Sequence, residues 1–130
     1  MSNSPVSVQV EPRYLPDQSS PQDGIHAFSY TVTVTNHGKV AAQLIARQWE
    51  IHDASGHRQE VKGLGVIGQQ PLLAPGESFR YTSGCRLKAA SGSMHGSYFF
   101  VSEQGERFDV PIPMFLLEAD GSGTRARVLH

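Results

Sequence analysis

The run Phe28-Ser29-Tyr30-Thr31-Val32-Thr33-Val34-Thr35 constrains this chain more than any other stretch. Large apolar side chains alternate with small hydroxyl-bearing ones. Successive side chains of a strand point to opposite faces, so a period of two makes one apolar face and one wet face. A helix would scatter the same residues around its circumference, and the valines and threonines also favour the pleat. Such a strand needs neighbours to pair with and a second layer to cover its apolar face.

The rest of the sequence supplies both. Val6, Val8 and Val10 alternate with Ser7, Gln9 and Glu11, and Pro12 and Pro16 place this strand at a sheet edge. Residues 16–24 are a polar loop rich in breakers. Val40 to His52 reads as a strand, with Ile45, Arg47, Trp49 and Ile51 of one parity and Leu44, Ala46, Gln48 and Glu50 of the other. Trp49 is expected to anchor the core. Arg58 to Lys62 is a short polar strand. Ser78 to Arg86, His95 to Ser102 and Arg107 to Leu117 bring the total to about seven, and Pro111 and Pro113 mark the last as an edge. Asn36-His37-Gly38-Lys39 is expected to be a turn with Gly38 at positive φ, and Glu103-Gln104-Gly105-Glu106 a tight hairpin turn. No segment carries a helical period. The prediction is an all-β antiparallel sandwich of the fibronectin type III-like (immunoglobulin-like) kind, without the Cys…Trp…Cys pattern of antibody domains. One domain over 6–118 is expected, with flexible ends at 1–5 and 119–130.

Composition narrows the function classes. The 130 residues suffice for one core, burying roughly two-thirds of the unfolded surface. Eleven basic residues against twelve acidic ones leave a net charge of −1, so no overall field draws a polyanion, and nucleic acid is not expected as a partner. The one cysteine, Cys85, cannot form an intrachain disulfide; it reads as a small strand residue, since nothing nearby in sequence would lower its pKa. The N-terminus lacks the basic and apolar regions of a signal peptide, and no apolar run is long enough to span a bilayer, which makes a reduced cytoplasmic location the default.

Two groups of residues carry candidate chemistry. Gly63, Gly65 and Gly68 have G-x-G-x-x-G spacing, but Pro71 and Pro75 follow, so the helix that would present its N-terminus to a pyrophosphate cannot form. The remaining reading for an anion is a nest of backbone N–H groups, assisted by Arg47 and Lys62, that would take a phosphorylated small molecule. Against it stands a structural loop whose glycines allow tight turns. Turnover of such a ligand would need a base, and His37 and Glu103 are what the topology offers. The histidines lack zinc-motif spacing. In a seven-strand sandwich, however, the loops at 16–25, 53–57 and 88–95 share one end, which gathers His26, His52, His57 and His95 as candidate ligands for a divalent cation, or as separate solvated residues.

Several strings together resemble the ApaG family: Val10-Glu11-Pro12-Arg13-Tyr14-Leu15, Tyr30-Thr31-Val32-Thr33-Val34-Thr35-Asn36, Leu44-Ile45-Ala46-Arg47-Gln48-Trp49, Val61-Lys62-Gly63-Leu64-Gly65-Val66-Ile67-Gly68-Gln69-Gln70-Pro71, Leu73-Ala74-Pro75-Gly76-Glu77, Tyr81-Thr82-Ser83-Gly84 and Met94-His95-Gly96-Ser97-Tyr98. The resemblance covers roughly residues 6–118. It implies a fibronectin type III-like sandwich in a small bacterial cytoplasmic protein, associated with cobalt resistance and magnesium efflux. It also implies a protein-interaction role, because the same domain recurs in larger eukaryotic proteins beside substrate-recognition and DNA-polymerase-associated modules. It brings no catalytic residues and no cofactor. A chain without a membrane span would not itself be the transporter. The expectation is therefore a non-catalytic binding module with a protein partner; a phosphorylated-ligand sensor or hydrolase and a direct divalent-metal binder are the alternatives.

Overall fold

The computed structural model describes residues 5–119; the expected flexible segments lie almost wholly outside them. Eight strands follow one another: β1 (Val6–Tyr14), β2 (His26–Asn36), β3 (Ala42–Asp53), β4 (Arg58–Leu64), β5 (Leu72–Leu73), β6 (Ser78–Leu87), β7 (Ser91–Ser102) and β8 (Arg107–Glu118). Two single turns of 3-10 helix, Pro16–Gln18 and Pro21–Asp23, lie between β1 and β2. The strands form two antiparallel sheets, β1-β2-β6 and β4-β3-β7-β8, with β5 also paired to β3. β1 packs along β8, so one long side of the sandwich closes there. The proline-bearing strands β1 and β8 are sheet edges, because a residue without an N–H cannot complete a ladder on both sides.

Strand alternation builds the core. Phe28, Tyr30, Val32 and Val34 of β2 are buried, and Ser29, Thr31, Thr33 and Thr35 face outward. Opposite them lie Leu44, Trp49 and Ile51 of β3, Tyr98 and Phe100 of β7, and Val110, Ile112 and Leu117 of β8. Trp49 sits edge-on to Tyr30 at 5.3 Å and to Tyr98 at 6.3 Å between ring centroids. The phenol hydroxyls of Tyr81 and Tyr98 are hydrogen-bonded to each other across the sheets, which satisfies both groups in a place without solvent.

Two expectations are corrected. β3 does not keep one parity along its length: its pairing with β7 shifts register between Leu44 and Ala46. The bulge inserts Ile45 as an extra residue, so Leu44 on one side of it and Trp49 on the other both face the core. Gly38 does not have positive φ. Space is the reason for glycine there, since an added Cβ would stand 2.9 Å from Pro5 Cβ and 3.2 Å from Asn36 Oδ1.

Asn36 ties the end of β2 to two other segments. Its Nδ2 donates to the carbonyls of Val40 (3.0 Å) and Leu73 (2.9 Å), and its Oδ1 accepts the Gly38 N–H (2.9 Å). Its side chain is fully buried. Asn36→Ala removes three bonds and strands their partners, an expected loss of about 2–4 kcal/mol in urea unfolding. Burial pushes the Tyr81 hydroxyl up to about 12 and raises Tyr98 as well. The unfolded chain releases these protons near the ordinary tyrosine value while the folded chain keeps them, so the contribution is complete below that value and lost above it. Urea midpoints are expected to fall as pH rises from about 10 toward 12, and less steeply in the Tyr81→Phe, Tyr98→Phe double variant.

Candidate functional site

The glycine-rich stretch is built around the β3 bulge. β4 pairs with β3 through Ala46–His52 and β5 pairs through Ala42 and Gln43, which leaves Ile45 between them without a strand partner on that edge. The stretch supplies substitutes. Gly65 N–H donates to the Ile45 carbonyl (2.7 Å), and Gln70 Nε2 donates to the same oxygen (2.9 Å). Val66 and Gln69 exchange both backbone bonds at 2.8 Å, closing a two-residue turn over Ile67 (φ 41°) and Gly68 (φ 77°). Positive φ at both central residues is the type I′ geometry. Gly65 has φ 66°, and a Cβ there would lie 2.3 Å from the Gln69 carbonyl oxygen.

This geometry bears directly on the five candidate anion-binding residues. The N–H groups of Gly65, Val66 and Gln69 are each bonded to a backbone carbonyl of the chain. The Arg47 guanidinium lies over Gly63, where an added Cβ would come within 2.8 Å of Nη1, and Nη1 donates to the carbonyls of Leu64 (3.2 Å) and Gly65 (2.9 Å). Arg47 has the parity of buried Trp49, whereas Lys62 is paired with Gln48 of the other parity. The two side chains therefore leave the backbone on opposite faces of the sheet, although both line the groove at the β4 edge. Lys62 stands 3.9 Å from Glu60 and lines an outer groove together with Arg47, Gly63, Leu64, Phe99 and Asp109, so an acid shares whatever field the cations create there. That groove brings Arg47, Gly63 and Lys62 together, whereas Gly65 and Gly68 are not among its lining residues.

The candidate metal set also divides. The loop ends do gather: Asp53 Oδ1 accepts from the Ser55 N–H (3.0 Å), Ser55 Oγ (2.6 Å) and the His57 N–H (3.1 Å), while Oδ2 accepts from the Lys88 N–H (3.1 Å). Burial alone would raise the Asp53 carboxyl, but those bonds outweigh it and hold the group below the ordinary value. His26 opens β2 facing inward, its Nδ1 buried and without a hydrogen-bond partner among the described residues. His57 is exposed in the β3–β4 turn. His52 and His95, by contrast, meet on the outer face of the five-stranded sheet, with rings parallel within 8° and centroids 6.0 Å apart. Between them stands Glu50, which sequence reasoning missed: its Oε1 lies 3.1 Å from His52 Nε2 and 3.7 Å from His95 Nε2. Glu50 and His52 are two apart on one strand, which places them on one face, and the register pairs Glu50 with His95. The first signal was in the sequence; the second is a pairing that local spacing does not reveal. Arg58 Nη2 holds the other carboxylate oxygen at 3.0 Å, and chiefly this bond, with that of His52, keeps the Glu50 carboxyl below its ordinary value.

Comparison with known proteins places the chain in a family. The model of the ApaG domain matches residues 16–102. The chain belongs to the ApaG domain family. Protein ApaG from Acidovorax sp. (strain JS42) is 63% identical over 130 residues, covering 96% of this chain and 95% of the relative. Protein ApaG from Ralstonia nicotianae is 55% identical over 117 residues, covering 90% and 94%. A solved structure described as an ApaA protein, from Bordetella pertussis, superposes with a TM-score of 0.86 at 53% identity, covering 88% of this chain and 94% of that one.

In this ApaG domain, burial pushes the Cys85 thiol up to about 11, the opposite of what a nucleophile needs. Ser7 Oγ and His37 Nε2 are 2.9 Å apart, but no carboxylate is bonded to that imidazole among the described residues, so the third member of a triad is missing. The glycine turn has an architectural role that a single substitution tests. Gly65→Ala meets both a left-handed φ and the Gln69 carbonyl, and is expected to cost at least about 2 kcal/mol in chemical denaturation, whereas Gly76→Ala, with open space around its Cβ position, should cost less.

Proposed function

We propose that this chain is a non-catalytic interaction module that takes an extended segment of a partner protein along the free edge of β6. The observation that carries this reading is that β6, ten residues long and without proline, is hydrogen-bonded to β2 on one side and to no described strand on the other. Asn36 N–H donates to the Glu77 carbonyl, which sets the alternation of the ladder. Phe79, Tyr81, Ser83 and Cys85 turn their backbone groups to β2, and Arg80, Thr82, Gly84 and Arg86 turn theirs to the open side. An extended chain docking there would recover those bonds, as in strand addition generally.

The other edges are better defended. β1 carries Pro12, and β8 carries Pro111 and Pro113. β4 is shorter and alternates charges of both signs at Arg58, Glu60 and Lys62. β6 itself exposes charges of one sign, Arg80 and Arg86, of which Arg80 stands 3.8 Å from Glu11 of β1, so Arg86 above all favours a partner segment with acidic side chains on its outward face. The tie to cobalt resistance and magnesium efflux that the family resemblance implies would then run through that partner.

Thr82→Pro tests the edge, since proline is tolerated where the N–H faces solvent but cannot donate to an incoming strand. Acidic extended peptides selected against the unaltered chain should lose at least tenfold in affinity for this variant, about 1.4 kcal/mol, while its melting temperature changes little. Equal binding by both chains would overturn the proposal.

A further inference from the structure

We infer that Glu50, His52 and His95 form a binding site for a borderline divalent cation of the zinc type on the outer face of the five-stranded sheet. This inference is independent of the β6 edge, which belongs to the other sheet.

The three donor atoms lie within 4.8 Å of one another. Ligand atoms about 2.0–2.1 Å from a tetrahedral zinc ion stand roughly 3.3 Å apart, and the carboxylate-to-imidazole separations here are 3.1 and 3.7 Å. The donors sit on paired strands rather than on loops, so the backbone fixes their spacing before any ion arrives. Arg58 occupies Glu50 Oε2 and leaves Oε1 turned to both imidazoles. That arrangement fixes a one-oxygen mode of binding, with the guanidinium as an outer-shell partner. Two imidazoles and one carboxylate suit zinc or nickel and not magnesium or calcium, which take oxygen ligands. In the ion-free state the carboxylate can only accept, so His52 Nε2–H donates to it. Cation binding takes over that nitrogen, and the imidazole proton moves to Nδ1. All three side chains are partly exposed, so the remaining coordination positions open to water and the ion exchanges freely.

The test is titration of the full-length, tag-free chain with zinc chloride by calorimetry. One ion per chain is expected, with affinity reduced at least tenfold in each of His52→Ala, His95→Ala and Glu50→Gln, and unchanged in His57→Ala. Imidazole resonances of His52 and His95 in the unaltered chain should shift on zinc addition while that of His37 stays in place. This second measurement decides the matter if a variant fails to fold. Magnesium should not displace the zinc. Absence of saturable binding, unaltered affinity in His52→Ala and His95→Ala, or displacement by magnesium overturns the inference.

Discussion

The extra residue in β3 is the constraint on which the remaining architecture depends. A twelve-residue strand must pair with β7 along one side and with two separate segments along the other. Without the bulge at Ile45, Leu44 and Trp49 could not both face the core, because five steps along a strand reverse the face. The bulged residue's main-chain carbonyl has no strand partner on the β4–β5 edge, and a hydrogen bond there contributes about 0.5–1.5 kcal/mol. The glycine turn answers that requirement with a backbone N–H from Gly65 and a side-chain amide from Gln70. A string that looks like a ligand loop is thus the other half of a strand irregularity. Its fully buried Val66 anchors it to the core.

The two sheets are held together unequally along their sides. Along one, β1 lies against β8. Across the middle, the aromatic layer of Tyr30, Trp49, Tyr98 and Phe115 interlocks through edge-on contacts, and the Tyr81–Tyr98 pair adds a directional bond to otherwise non-directional burial. At the other side β6 ends its sheet, with no strand beyond it among the described residues. Arg47 is near that side: its charge reaches the hydroxyls of Tyr30, Tyr81 and Tyr98, and its guanidinium is pinned to the end of β4. The side chain remains partly solvated, as a long stem with a polar head allows.

Much of this was legible from residue order. Alternation over Phe28–Thr35 identifies a strand with one apolar face, Trp49 reads as a core residue, and the prolines at 12, 111 and 113 mark edges, because each of these signals is local and acts through one backbone rule. The strand over 40–52 was recognised but its parity was not, since a bulge is decided by what lies beside a strand. β5, two residues long, carries too little pattern to be seen. For the histidines, counting loop ends located the end of the sandwich but not the face of the sheet. His26 turned inward, His57 stayed in its turn, and Glu50 entered because register, a non-local property, set it opposite His95.

Trp49 has one more consequence. It is the chain's single tryptophan, almost wholly buried, and its cross-strand partner is Gly96, where an added Cβ would strike the Gln48 carbonyl. Its neighbours come from both sheets: Tyr30 from one, Tyr98 and Phe115 from the other. The next residue along β3 is Glu50, on the opposite face. The protein therefore carries an intrinsic fluorophore seated at the seam of its two layers and one peptide unit from its outer surface. Its emission registers separation of the sheets directly, and distortion of β3 from the solvent side through the shared backbone.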